Sequence, residues 1–300
     1  MHTHTPNDQK EKRFRQAIAL TGIVFLVELL GGLWTNSLAL LSDSAHVFMD
    51  VFALGLSYFA IRAARLPADD KHTYGYHRLQ VLAALINGAT LLLVSFEILR
   101  EAWARLQDPQ PVLAGPLLII AAGGLVVNLL VAYTLRQYDH DDQNTRSAFL
   151  HVLGDALASI GVIAVGVTLL FVDWTWLDPL ISVLIGVLIL MSSGRLLKET
   201  LHILIEGVPG GMSAAAIAVS MRGVAGVSDV HDLHVWTVSP GYVALSAHIL
   251  LADQALSQTA EIMLALKGIL RRQYKIEHTT IQFECDHCGQ GVITCQEPSG

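Results

Sequence analysis

Residues 38–61 read LALLSDSAHVFMDVFALGLSYFAI. The run is apolar at both ends, yet its middle carries Asp43, His46 and Asp50 with no basic residue to pair them. A bilayer core is crossed by roughly 20 apolar residues in a helix, so this stretch is long enough to span. An ionisable side chain at the centre of a span costs at least about 2.5–3.5 kcal/mol. His46 and Asp50 are four residues apart, and at about 100° per residue four steps return to within roughly 40°. Both side chains therefore share one helical face, a turn apart.

Working outward, similar stretches run approximately over Ala17–Trp34, Leu79–Leu99, Val112–Leu135, Ala148–Val172 and Trp174–Gly194. The fifth span contains HVLGD, with His151 and Asp155 at the same spacing as His46 and Asp50. Of the 300 residues 53% are hydrophobic and 15% are charged, against about 25% charged in a typical soluble domain. The reading is an α-helical membrane protein with six transmembrane helices in a lipid bilayer. The first apolar run lacks a small-residue cleavage pattern and reads as a span, not a removed signal. A net charge of −7 with no basic footprint excludes a nucleic-acid partner. The three cysteines all follow residue 284, so they cannot staple a fold.

With the N-terminus in the cytosol, the inside segments hold Lys10, Lys12, Arg13, Arg15, Arg62, Arg65, Lys71, Arg78, Arg136, Arg146, Arg195 and Lys198. The outside loops hold only Arg100 and Arg105. This asymmetry satisfies the positive-inside rule, and six spans return the C-terminus to the cytosol. Val208-Pro209-Gly210-Gly211 then breaks the pattern. Beyond it, Ser213–Gly223 reads as a serine-capped helix and Val230–Val238 as a strand. Ser239-Pro240-Gly241 is a turn leading to the strand Tyr242–Leu251. Ala255–Tyr274 has helical periodicity, and Thr279–Glu284 reads as a last strand. An αββαβ order predicts a small α+β layer with its helices on one face of a short sheet. The expected division is a segment 1–12, a membrane domain 13–207, a cytosolic domain 208–284 and a cysteine-containing tail 285–300.

Two His-x-x-x-Asp faces brought together supply two imidazoles and two carboxylates, a shell suited to tetrahedral Zn²⁺. Two carboxylates on Zn²⁺ sum to zero charge, which suits hydrocarbon. Without metal the site attracts protons, because ligands must be deprotonated to hold metal and imidazole titrates near neutrality. Such a site exchanges a divalent metal ion for protons. The competing reading is interhelical hydrogen bonding within each pair. Asp43 reads either as a group on the release path or as a cap of the helix start. Glu28, Asn87, Glu97 and Asn128 read as hydrogen-bonding or interfacial residues. A zinc hydrolase is disfavoured because no HExxH motif is present, so the chain is read as a non-enzyme. A membrane zinc sensor that binds without moving ions is the alternative function.

The segments SDSAHVFMD, HTYGYHRLQVLAALINGATL and HVLGDALAS resemble the cation diffusion facilitators, in their zinc-transporting subgroup. The resemblance runs from about Arg13 to Glu284. It implies that His46, Asp50, His151 and Asp155 form the transport site of a Zn²⁺/H⁺ antiporter, with Cd²⁺ and Co²⁺ as further candidate cargo. It further implies an inner-membrane homodimer with a ferredoxin-like cytosolic domain. There are departures. Gln80 stands where the subgroup often has Glu, and in the loop Asp69 and His72 match a second cytosolic site whose second His is here Tyr76. That loop is read as solvated. The connection Tyr138–Asp142 is short where some members carry a His-rich loop.

The resemblance also aligns His231, His248 and Glu284 with a cytosolic metal site, with Gln282 where some members have His and His234 as a substitute. On a regular strand His231 and His234 face opposite sides, so both serve one site only if a bulge intervenes. The alternative is ordinary half-buried polar residues. Cys285-Asp286-His287-Cys288, with Cys295 beyond, is a single C-x-x-C. It reads either as completing a zinc site with His231, His278 or His287, or as a silent tail. His2 and His4 read as incidental.

Overall fold

A computed structural model describes the backbone of residues 6–136 and 143–286 and the side chains of residues 21–130 and 153–286. Six long helices come first: α1 (Pro6–Thr35), α2 (Leu38–Ala64), α3 (Leu79–Gln107), α4 (Ala114–Arg136), α5 (Gln143–Phe171) and α6 (Leu177–Leu204). Four apolar helical stretches are long enough to cross a membrane, Leu38–Ala64, Leu79–Gln107, Leu153–Phe171 and Leu177–Leu204. Thr21–Thr35 and Ala114–Leu130 are apolar but shorter among the described residues. These helices are inverted relative to a soluble bundle. Ile23, Leu26, Leu30, Phe59, Ile119 and Phe171 are exposed, while Glu28, Ser42, Asp43, Ser95, Ser159 and Ser193 are buried. That distribution minimises free energy only where the surrounding medium is itself apolar. Close approach uses small residues: a Cβ on Gly31 of α1 would lie 2.4 Å from Ile120 of α4.

The remaining elements are α7 (Ala214–Arg222), β1 (Val227–Ser239), β2 (Tyr242–Leu251), α8 (Thr259–Tyr274) and β3 (His278–Glu284), with a single 3₁₀ turn, Leu256–Gln258, before α8. The expected αββαβ order is present. The expected serine cap is also present, with Ser213 Oγ accepting from the Ala216 amide. Strands run in the order β1-β2-β3, β1 antiparallel and β3 parallel to β2. A parallel pair needs a crossover, and α8 supplies it. Ile217, Met221, Leu266 and Leu270 of the helices pack on Val230, Leu245, Ala247 and Ile249 of the sheet. The opposite face of the sheet carries His231, His248 and Glu284 beside apolar residues such as Trp236 and the buried Val238 and Ala244.

The chain falls into two compact units, residues 1–56 with 86–196, and residues 57–85 with 197–300. The first holds the polar groups of α1, α2, α4, α5 and α6; the second holds the loop 66–78 and the sheet.

Candidate metal centres

In the first unit, α2 presents His46 and Asp50 on one face and α5 presents Asp155. One ligand atom from each of the three lies within 4.8 Å of the other two. His46 Nε2 is 3.5 Å from Asp155 Oδ1. Ligands about 2.0–2.1 Å from a tetrahedral zinc lie about 3.3–3.5 Å from one another, so this pair is already at a tetrahedral edge. His151 lies on α5 one turn before Asp155, but its side chain is outside the described residues. Asp43, about a turn before His46 on α2, is buried, with the Ser159 hydroxyl of α5 3.5 Å from its Oδ2. Ser159 is in turn within 3.5 Å of the Asn128 amide of α4. Asn128 therefore has the hydrogen-bonding role expected of it. Glu97 ion-pairs with Arg100 in an exposed position.

Asp43 does not cap α2. That task belongs to Asp178 at the start of α6, which accepts from the Ser37 hydroxyl and, at 2.7 Å, from the Leu38 amide. Ser37 in turn accepts from the Leu40 amide at 3.2 Å. Arg105 of α3 donates to the Asn36 carbonyl at 2.8 Å, where Asn36 takes the left-handed conformation. The end of the helix that carries two candidate ligands is thus held by α6 and α3. The sequence reading missed Asp178. Its signal was an aspartate opening an apolar span with no basic residue within reach along its own helix.

In the second unit, His231 of β1 is the cross-strand partner of His248 on β2, and Glu284 ends β3. These three form a second cluster with mutually close ligand atoms. His231 is 1% exposed, with Nε2 3.2 Å from Glu284 Oε2. His248 Nδ1 is 2.8 Å from Glu284 Oε1. Gln282 also donates to Glu284 Oε1, at 2.7 Å. A bulge does intervene between His231 and His234. Asp232 occupies the left-handed region there, φ 48°, a conformation that Asp tolerates better than most residues. Before the bulge Val230 faces the core and His231 faces away; after it Leu233 and Val235 face the core. The parity shift returns His234 to the face of His231. Its Nε2 is 3.0 Å from Asp232 Oδ1, and Asp232 Oδ2 is 3.6 Å from His248 Nε2.

The remaining candidates do not converge. Asp69 and His72 touch at 3.1 Å, but the third group is the Tyr76 hydroxyl, donating to Asp69 at 2.8 Å. That hydrogen bond, with the amides of His72 and Lys71, holds the Asp69 carboxyl down at about 2. His278 begins β3 opposite Ala244 and packs on Tyr74 and Tyr242, whereas Glu284 lies at the other end of the strand opposite Leu250. His278 is therefore removed from any site that Cys285 could join. Cys285 is exposed and forms no disulfide among the described residues. Cys288, His287, Cys295, His2 and His4 lie outside the described residues.

The chain matches the cation efflux transmembrane domain over residues 15–205 and the cation efflux protein cytoplasmic domain, a module labelled for dimerisation, over residues 209–286. The metal cation efflux system protein CzcD of Cupriavidus metallidurans is 38% identical over 96% of this chain and 91% of its own. The cadmium, cobalt and zinc/H(+)-K(+) antiporter of Bacillus subtilis is 37% identical over 98% of this chain and 96% of its own. The zinc transporter ZitB of Escherichia coli is 36% identical over 95% of this chain and 91% of its own. The solved metal-bound C-terminal domain of the CzcD transporter is 33% identical, covers 24% of this chain and 99% of its own, and has a TM-score of 0.23.

Proposed function

This chain belongs to the cation efflux family of membrane transporters, and from that membership we propose that it exports Zn²⁺ from the cytosol in exchange for protons, with Cd²⁺ and Co²⁺ as further cargo. The observation that carries the reading is the convergence of His46, Asp50 and Asp155 from two apolar helices. Imidazole nitrogen with carboxylate oxygen is a borderline donor set that suits Zn²⁺ better than harder cations. His151, a turn from Asp155, is the fourth ligand in this proposal. Filled, the site is near neutral; emptied, it carries carboxylates that bind protons in place of metal. Metal and protons therefore compete for the same groups, and alternating exposure of the site to the two sides converts that competition into antiport.

The transporter in this proposal has six spans, both termini in the cytosol of a bacterial inner membrane, and a membrane domain over 13–207 followed by a cytosolic domain over 208–284. The basic-residue asymmetry and the two domain matches support this arrangement. It works as a homodimer, in keeping with the dimerisation label of the matched cytoplasmic module. The donor set of His231, His248 and Glu284 fits a resident zinc ion that ties β1, β2 and β3 together.

The test is reconstitution of the full chain in liposomes with a trapped pH dye. External zinc should enter while protons leave, raising the internal pH. Zinc binding without either flux would replace the transporter with the sensor. Full exchange by Asp155→Ala would overturn the site.

A further inference from the structure

Glu28 is 1% exposed on α1, whose neighbouring Val27 and Leu30 face outward. It is the one ionisable residue between Thr21 and Thr35. Its Oε1 occupies the space that a side chain at position 124 would fill: a Cβ on Gly124 of α4 would lie 2.5 Å from that oxygen. Its Oε2 is buried and has no hydrogen-bond partner among the described residues. Among the described residues, the carboxylates of Asp43 on α2 and Asp155 on α5 act on it. From Ala114 to Leu130, α4 presents no ionisable group.

Topology explains this placement. Glu28 lies seven residues before the end of α1 and Asp43 five residues after the start of α2. At 1.5 Å per residue both are within about 10 Å of the turn joining those helices. Gly32 packs against Leu41 across the same turn, which brings the two helices close. Among the described residues a bare carboxylate here has no donor for Oε2, and the charges of Asp43 and Asp155 repel it. Such burial is strongly disfavoured for the ion and tolerated for the neutral acid.

We propose that Glu28 is a dedicated proton carrier of the exchange: neutral while the metal site is empty and ionised while a divalent cation occupies it. The inference rests on the antiport reading above and adds a residue that binds no metal itself. Arrival of a divalent cation at Asp155 cancels the negative charge that disfavours ionisation of Glu28. The carboxyl O–H bond then breaks, its electron pair stays on the oxygen, and the proton leaves to water on the side the site faces. Departure of the metal restores the charge on Asp155, and Glu28 takes a proton from the opposite side. The protein thereby moves a proton without loading every proton onto the metal ligands.

The experiment uses the full-length protein in liposomes and three measurements. Proton release on zinc binding should fall by about one proton per zinc in Glu28→Gln, with zinc still bound, and should be restored in Glu28→Asp. The pH dependence of zinc uptake should flatten in Glu28→Gln and return in Glu28→Asp. In the unmodified protein, zinc should abolish an infrared carbonyl band of a protonated carboxyl, a band that shifts in Glu28→Asp and is missing in Glu28→Gln. Unchanged proton release and pH profile in Glu28→Gln, or no such band in the unmodified protein, would overturn the proposal. Absence of any zinc-linked proton release from the unmodified protein would instead overturn the antiport reading itself.

Discussion

The helical and cytosolic units each gather histidine and carboxylate side chains, but they do so under opposite rules. On α2 the helical repeat stacks His46 over Asp50, and a second helix, α5, delivers Asp155. Across that gap His46 Nε2 lies 3.5 Å from Asp155 Oδ1, the separation of two ligands on one tetrahedral zinc. On the sheet, pairing register sets His231 opposite His248, and Glu284 holds both, at 3.2 and 2.8 Å, while Gln282 adds a further donor at 2.7 Å. The cytosolic groups are interlocked in a small, well-packed domain, which suits an ion that stays. The helical groups depend on how two helices meet, which suits an ion that comes and goes.

The largest effect should separate the two clusters at once. Asp50→Ala should lower zinc transport by on the order of a hundredfold or more, since even outer-sphere losses at metal sites cost about 10–100-fold. Glu284→Ala should leave transport at saturating zinc within a few-fold of normal. Equal loss in both variants, measured in the same liposomes, would erase the contrast.

Asp178→Ala comes next. It removes the acceptor for Ser37 and Leu38 and leaves buried donors unsatisfied, a cost of about 1–3 kcal/mol for such groups. A lower melting temperature in detergent and weaker zinc transport should appear together, because α2 loses its anchor. Asp178→Asn, which keeps one acceptor, should fall between the two. Glu284→Gln should then weaken zinc binding at the cytosolic cluster by about tenfold, read by calorimetry on the full chain against a variant lacking Asp50. His46→Asp should shift the competition profile toward harder cations by replacing nitrogen with oxygen; an unchanged profile would remove His46 from the selective shell.

The smallest effect concerns the loop. The Tyr76 hydroxyl is the foremost cause of the lowered Asp69 value, so Tyr76→Phe should move the Asp69 carboxyl from about 2 back toward its ordinary 3.8. The sign follows from the depression. Whatever the turn contributes is present above the ordinary value and is lost as the pH falls through about 2. Near neutrality Asp69 stays ionised in either form, so an NMR titration of its carboxyl carbon should change while zinc transport does not.

The amino-acid order determined the local patterns. Apolar length marked the helices, spacing of four placed His46 and Asp50 on one face, and the αββαβ order with its Ser213 cap was readable from strand alternation and turn residues. These features depend on backbone periodicity, which each segment carries by itself. Which faces meet is a different matter, because it depends on packing summed over distant segments. Only the tertiary structure brought Asp155 to His46, assigned the clamp on α2 to Asp178 in place of Asp43, and buried Glu28 against a glycine. It also decided the register at Asp232, where one left-handed residue turns His234 to the side of His231. A strand's alternation is legible in its sequence, but the extra residue that reverses it becomes visible only when the partner strand is in place.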